Sequence, residues 1–280
     1  MSIIFNNVNH IYDLDGAIPV KALDNVSFEI KDGDFVGLIG HTGSGKSTLI
    51  QHMNGLLKPT SGEIYYNGAD ITDKDYRLSE LRNKVGLVFQ YPEHQLFEEN
   101  VFKDVCFGPK NQGLDKKEVE LRAFTALTQV GLSHELYYAS PFDLSGGQKR
   151  MVAIAGVLAM HPDVLILDEP TAGLDPFGRE TILNQIKKLH DEENITIVLV
   201  SHSMEDVANY VSRIMVMNEG QLKYDGTPRE VFKNVVELEE IGLAVPQVTY
   251  IMNELRKSGY NVSTDAITVE EAAKEILAKC

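Results

Sequence analysis

Short apolar runs alternate along this chain with longer stretches of helical spacing, the pattern of a layered α/β protein. Phe35–Ile39 and residues 85–89, 164–167 and 195–200 read as buried strands. Residues 3–8 alternate polar and apolar up to Tyr12 and predict an edge strand. Residues 20–30 predict another, with Ala22, Val26, Phe28 and Ile30 as apolar positions. Residues 62–68 read as a strand closed by the Asn67-Gly68 turn signal. Residues 213–217 and 221–224 read as a last pair around Glu219-Gly220. Between 91 and 160 the spacing turns helical; residues 115–130 form an amphipathic stretch expected to bury Val119, Phe124, Leu127 and Val130. Beyond residue 226 strand signals fade. Thr227-Pro228-Arg229-Glu230 is a capping box with proline at the first helical position. Residues 246–257 place Val248, Ile251, Met252 and Leu255 on one face, and Thr268 and Glu271 cap a last helix ending near Cys280.

The loops at the ends of these strands carry the chemistry. After the strand at 35–39 comes Gly40-His41-Thr42-Gly43-Ser44-Gly45-Lys46-Ser47, then Thr48, which fits G-x-x-x-x-G-K-[ST] at every fixed position. Leu49, Ile50 and Met53 follow at helical spacing. Glycines let backbone N–H groups and a helix N-terminus wrap a polyphosphate, Lys46 reaches the terminal phosphates, and the Ser47 hydroxyl suits Mg²⁺. A second unusual stretch is Leu144-Ser145-Gly146-Gly147-Gln148. Ser145 and Gln148 form a capping box, but a cap needs no glycines, and each costs up to about 1 kcal/mol relative to alanine. Close approach of an anion to the backbone would explain them. The strand at 164–167 ends in Asp168 and Glu169, a metal-side acid and a neighbour able to deprotonate water. Residue type alone leaves two readings for three other positions. Tyr12 is either a purine platform or a turn tyrosine, Gln90 either a ligand for Mg²⁺ or water or a strand cap, and His202 either a phosphate contact or structural. Leu96 and Phe97 are a candidate contact patch or a local staple under their loop.

Composition narrows the partners. The 280 residues carry a net charge of −15, which disfavours nucleic acid and direct adhesion to anionic lipid. No basic, apolar leader opens the chain, and its longest nearly apolar run, 151–160, is far short of the roughly 20 residues that span a bilayer. Cys106 and Cys280 lack metal-ligand spacing and read as free thiols of a reducing, cytosolic compartment.

The ordered set of phosphate loop, Gln90, Leu144–Gln148, the 164–169 strand end, Asp175 and His202 resembles the ATP-binding cassette (ABC) ATPases. Within them the chain looks most like ATPase subunits of energy-coupling factor transporters, through residues 89–97, Val101, Asp104-Val105, Phe107-Gly108-Pro109 and residues 155–160. The resemblance implies a P-loop NTPase fold: a cassette over residues 1–226 with a mixed sheet, an antiparallel β edge and a helical subdomain at about 91–160. Residues 227–280 would be a helical extension used for dimerisation. It also implies a head-to-tail pair in which each ATP lies between one chain's phosphate loop and the other's Ser145, Gly146, Gly147 and Gln148. On that pattern Tyr12 stacks on adenine, and residues 40–48 (Gly40, His41, Thr42, Gly43, Ser44, Gly45, Lys46, Ser47, Thr48) hold phosphate. Ser47, Gln90 and Asp168 serve Mg²⁺, Glu169 is the base, His202 contacts the γ-phosphate and Asp175 couples the sites. Implied partners are a second ABC ATPase, identical or related, a membrane scaffold received by residues 90–97, and a substrate-binding membrane component. The chain would then sit peripherally on the cytoplasmic face of the membrane and power uptake of a vitamin or transition metal. The ATPase of another ABC importer or exporter is the alternative. A DNA or ribosome ATPase of the family would need long coiled coils or tandem cassettes, which this chain lacks. A kinase or GTPase would not need Ser-Gly-Gly-Gln.

Overall fold

A computed structural model describes residues 2–13 and 18–279. Two sheets form its frame. The first is antiparallel, with β1 (Ser2–Tyr12) between β2 (Val20–Lys31) and β4 (Ser61–Tyr66), and β5 (Ala69–Asp70) beyond β4. The expectation of an edge strand at 3–8 is therefore corrected. β1 pairs on both sides, and its second neighbour comes from more than fifty residues downstream, out of reach of a local pattern. The Asn67-Gly68 turn joins β4 to β5 with both residues at positive φ, as a tight hairpin requires.

The second sheet has the order β10–β9–β3–β8–β7–β6. Here β3 (Phe35–Ile39), β6 (Val85–Val88), β7 (Val164–Asp168), β8 (Thr196–Val200) and β9 (Arg213–Asn218) run parallel, and β10 (Gln221–Gly226) closes one edge antiparallel. β3 and β8 are buried throughout, because both faces of the sheet are covered. Period-two alternation assigns their side chains to different cores. Leu165, Leu167, Ile197 and Leu199 face a helical layer, while Val164, Ile166, Val198 and Val200 face the antiparallel sheet.

Helices connect these strands: α1 (Lys46–Met53), α2 (Leu78–Lys84), α3 (Val101–Asn111), α4 (Lys116–Gln129), α5 (Gly146–Leu158), α6 (Pro176–Glu193) and α7 (Met204–Tyr210). Asp115 caps α4 through Lys117 and Glu118, and Val119, Ala123, Ala126 and Leu127 are its buried stripe. Phe124, expected among the buried positions, is 46% exposed. It lies one step off that stripe and packs edgewise on Tyr137. Leu96 is buried, whereas Phe97 is exposed and meets Phe107 at 5.0 Å.

The chain finishes with α8 (Pro228–Phe232), α9 (Val235–Glu240), α10 (Gln247–Lys257) and α11 (Val269–Lys279). Phe232, Leu238 and Val245 join the large core, while Val248, Met252, Val262, Ala266 and Ala272 make a small one of their own. Among the described residues no helix is long and apolar enough to cross a membrane. Cys106 is a half-buried free thiol whose pKa burial pushes up to about 11; Cys280 lies outside the described residues.

Candidate functional site

Parallel strands of one sheet end on one edge, and four of them bring the motif residues together there. β3 leads into the phosphate loop, which packs against β2 and the β9–β10 turn. A Cβ on Gly45, whose φ is 102°, would stand 2.5 Å from the Ala22 carbonyl, so only glycine lets the loop pass. A Cβ on Gly43 would meet nothing within 4 Å, so that glycine leaves space on the open side of the loop. Lys46 is buried and donates to the Gly40 and His41 carbonyls at 2.7 and 2.9 Å. Burial lowers its pKa, while the nearby Glu169 and Asp168 charges oppose that shift. His41 is braced against Asn218 at 3.1 Å, Thr42 and Ser47 are exposed, and the Ser44 hydroxyl is buried with no hydrogen-bond partner. The Tyr12 hydroxyl lies 3.2 Å from Thr48 Oγ1, which sets its ring beside the start of α1.

Glu169 is the centre of the strand-end cluster. Gln90 Nε2 donates to its Oε2 at 3.0 Å, and His202 Nε2 lies 2.8 Å from its Oε1. The residue sits at φ 51°, a conformation that costs a non-glycine residue of order 1 kcal/mol or more and that gathers at functional sites. Its N–H donates to Val200 O and its C=O accepts from Ala172 N, which holds the turn in place. Beside it, burial and the Glu169 charge raise the Asp168 pKa to about 6, with Lys46 and His202 acting against them. A cleft of about 300 Å³ opens between Glu169, Gly173, Arg179 and His202. A larger one, about 570 Å³, lies a strand's length away at the opposite edge, around Lys84, Asp163 and Glu193, and contains none of these groups.

These donors fit Mg²⁺. A buried carboxylate whose pKa is lifted to about 6 would be relieved by a cation, and hydroxyl, amide and carboxylate oxygens are the ligands such a hard ion takes. Because the Gln90 NH₂ faces a carboxylate, its amide oxygen is left for the ion. Among the described residues no group of three or more His, Cys, Asp or Glu is arranged to hold a metal ion.

Ser145–Gln148 stand apart from that cluster. The capping box is present, with Ser145 N to Gln148 Oε1 at 2.9 Å and Gln148 N to Ser145 Oγ at 3.3 Å. Among the described residues no hydrogen bond joins 145–148 to 40–48. A Cβ on Gly146 or Gly147 would meet nothing within 4 Å, so the fold of this chain gives no reason for either glycine. Asp175 caps α6 by accepting from Gly178 N at 2.9 Å, and its exposed neighbour Phe177 follows on the first turn.

Sequence reading missed Arg150. Its guanidinium, 2% exposed, donates to both Glu93 oxygens and to the Pro170 and Ala172 carbonyls. It thus ties α5 to the loop after Gln90 and to the turn after Glu169. An arginine one step before the apolar run 151–160 was the available signal. Arg150→Met strands a half-buried carboxylate and two carbonyls and is expected to cost about 3 kcal/mol. The midpoint of urea unfolding measures it, and an unchanged midpoint would show the network to be energetically idle.

Known proteins resemble this chain along nearly its whole length. The family model described as ABC transporter matches residues 23–172. The energy-coupling factor transporter ATP-binding protein EcfA2 of Clostridioides difficile (strain 630) is 59% identical, covering 99% of this chain and 97% of that protein. The protein of the same name from Clostridium tetani (strain Massachusetts / E88) is 58% identical, with 99% and 96% covered. Among solved structures, cbiO1 from Clostridium perfringens, described as part of the ABC transporter complex cbiONQ, superposes with a TM-score of 0.76 at 38% identity, covering 90% of this chain and 98% of that one. The ATP-binding cassette MJ0796, a dimer in a post-hydrolysis state with ADP and Pi, gives a TM-score of 0.72 at 32% identity over 81% of this chain and 98% of its own.

Proposed function

The chain belongs to the ABC transporter family as an ATPase of the energy-coupling factor class, and on that premise we propose that it powers import of a micronutrient through membrane partner subunits. One observation carries the mechanism: Glu169 is held between Gln90 and His202 at the strand edge shared with Lys46. Tyr12 stacks on the adenine, and residues 40–48 cradle the phosphates with Lys46 at the terminal ones. Glu169 takes a proton from the water that attacks the γ-phosphorus, His202 holds a γ-phosphate oxygen, and ADP leaves with phosphate. The Ser47 hydroxyl, the Gln90 amide oxygen and Asp168 are the groups that would hold Mg²⁺, and the ion would supply neutralisation of phosphate charge in the loose transition state.

The second half of each site comes from another ATPase of the family, identical or related, whose Ser-Gly-Gly-Gln helix covers the phosphates. The open space around Gly146 and Gly147 supports that reading. Asp175, at the head of α6, carries the state of one site to the other. The helical extension from residue 227 adds to the same pairing. Relatives named for energy-coupling factor transporters align over 99% of this chain, extension included, which favours this class over other ABC transporters.

With no membrane-crossing helix among the described residues, attachment is peripheral and through protein. The exposed Phe97–Phe107 pair beside the Gln90 loop is the docking point for a membrane scaffold. Phe97→Asp is therefore expected to abolish co-purification of membrane subunits with the tagged chain, while the purified chain still binds ATP. Leu96 is left alone because it is core. Purification from the native membrane, followed by identification of the captured subunits, tests both points. Capture of no membrane protein by the unaltered chain would overturn the assignment, and capture undiminished by Phe97→Asp would move the docking point elsewhere.

A further inference from the structure

Three rings run inward from the phosphate loop. Tyr12 and His10 lie two residues apart on β1, hence on one face, with centroids 4.5 Å apart and planes at 80°. His10 meets His52 of α1 at 4.7 Å and 74°. Exposure falls along the column from 39% at Tyr12 to 9% and then 0%. The β1–β2 ladder shifts register on both sides of His10, an irregularity of the kind that re-aims a side chain. His10 Nδ1 lies 3.1 Å from the Lys58 carbonyl and His52 Nδ1 2.7 Å from the Thr48 carbonyl. A carbonyl only accepts, so both Nδ1 atoms carry a proton, and each ring is fixed in rotation as well as position. Burial holds the His52 pKa at about 4, so that ring is neutral at the base of the column.

A half-exposed tyrosine at a strand end has rotamer freedom that base stacking must remove. Here the perpendicular His10 ring and the Thr48 hydroxyl remove it beforehand. We propose that His10, backed by His52, is a positioning residue that sets the Tyr12 ring over the phosphate loop and thereby fixes the affinity for the nucleobase. The proposal rests on the reading of Tyr12 as the adenine platform.

The test compares affinities of the full chain for ATP and for inorganic tripolyphosphate, which has no base. His10→Ala is expected to weaken ATP binding about three- to tenfold, the worth of one perpendicular aromatic pair. It should leave tripolyphosphate affinity, and turnover at saturating ATP, unchanged. His10→Phe keeps the ring without the Lys58 hydrogen bond and should recover part of the loss; it also carries the comparison if the alanine variant does not fold. Weakening of both ligands alike would make His10 merely structural and overturn the proposal. Tyr12→Ala separates the two levels. If it alone lowers the ATP-to-tripolyphosphate ratio, the platform stands and the role of His10 falls. If it leaves the ratio unchanged, the platform reading itself fails.

Discussion

Glu169→Gln should lower ATP hydrolysis by about 10²–10⁴-fold, the usual worth of a positioned general base, and leave ATP binding intact. Glutamine keeps the length and shape of the side chain but not its acceptor capacity. In the native arrangement both carboxylate oxygens accept, one from Gln90 and one from His202. An amide accepts at one atom only, so its NH₂ is turned toward Gln90 or His202, and no group remains to take the proton of the attacking water. The φ of 51° suits glutamine no worse than glutamate, so the turn should hold. Binding should survive because, in the proposed site, the phosphates would meet Lys46 and the loop, and removing a nearby negative charge favours an anion. The same loss of charge withdraws part of what opposes the burial-driven fall in the Lys46 pKa, but Asp168 remains to oppose it. Equilibrium ATP binding and single-turnover phosphate release measure the two halves. Near-native release would remove Glu169 from the role of base, and loss of binding would show that the variant disturbs the loop.

The legibility of this molecule in its sequence follows the range of each interaction. Buried parallel strands announce themselves because both faces are apolar, so residues 35–39, 164–167 and 195–200 were readable as strands with only shifts at their ends. The convergence of Gln90, Asp168, Glu169 and His202 was readable for the same reason, since parallel strands deliver their ends to one edge. Pairing between distant segments was not. β1 looked like an edge because its partnership with β4 leaves no local mark. The Arg150–Glu93 contact joins residues 57 apart, and the His10–His52 contact crosses from strand to helix. Phe97 and Leu96 are adjacent and similar in hydrophobicity, yet one is exposed and the other is core. Only the packing around the loop separates them. α6 is a different case: Asp175 and Pro176 are proper start signals for a helix that the hydrophobic pattern alone does not mark.

Gly147→Asp is expected to lower hydrolysis by about 10²-fold or more, in a chain that folds at least as well as the original and still fills its own phosphate loop. The combination follows from three local facts. Gly147 is on the first turn of α5 without a positive φ, and a Cβ there meets nothing within 4 Å. Replacing a helical glycine by aspartate recovers at most roughly 0.3 kcal/mol of propensity, and a carboxylate near a helix N-terminus is favourable. The Ser145–Gln148 box is untouched. Within one chain the substitution is therefore benign. On the proposed shared site, its damage would arise when a second ATPase, identical or related, presents its triphosphate to this helix end, because the new carboxylate would then face phosphate oxygens where backbone N–H groups should. ATP binding, hydrolysis and ATP-dependent pairing separate these effects, the last best read in a Glu169→Gln background where ATP persists. The expected result is retained binding with loss of both pairing and turnover. Unimpaired turnover would exclude the Ser-Gly-Gly-Gln helix from the site. Loss of binding by the lone chain would place the effect inside its own loop, contrary to a site shared between chains.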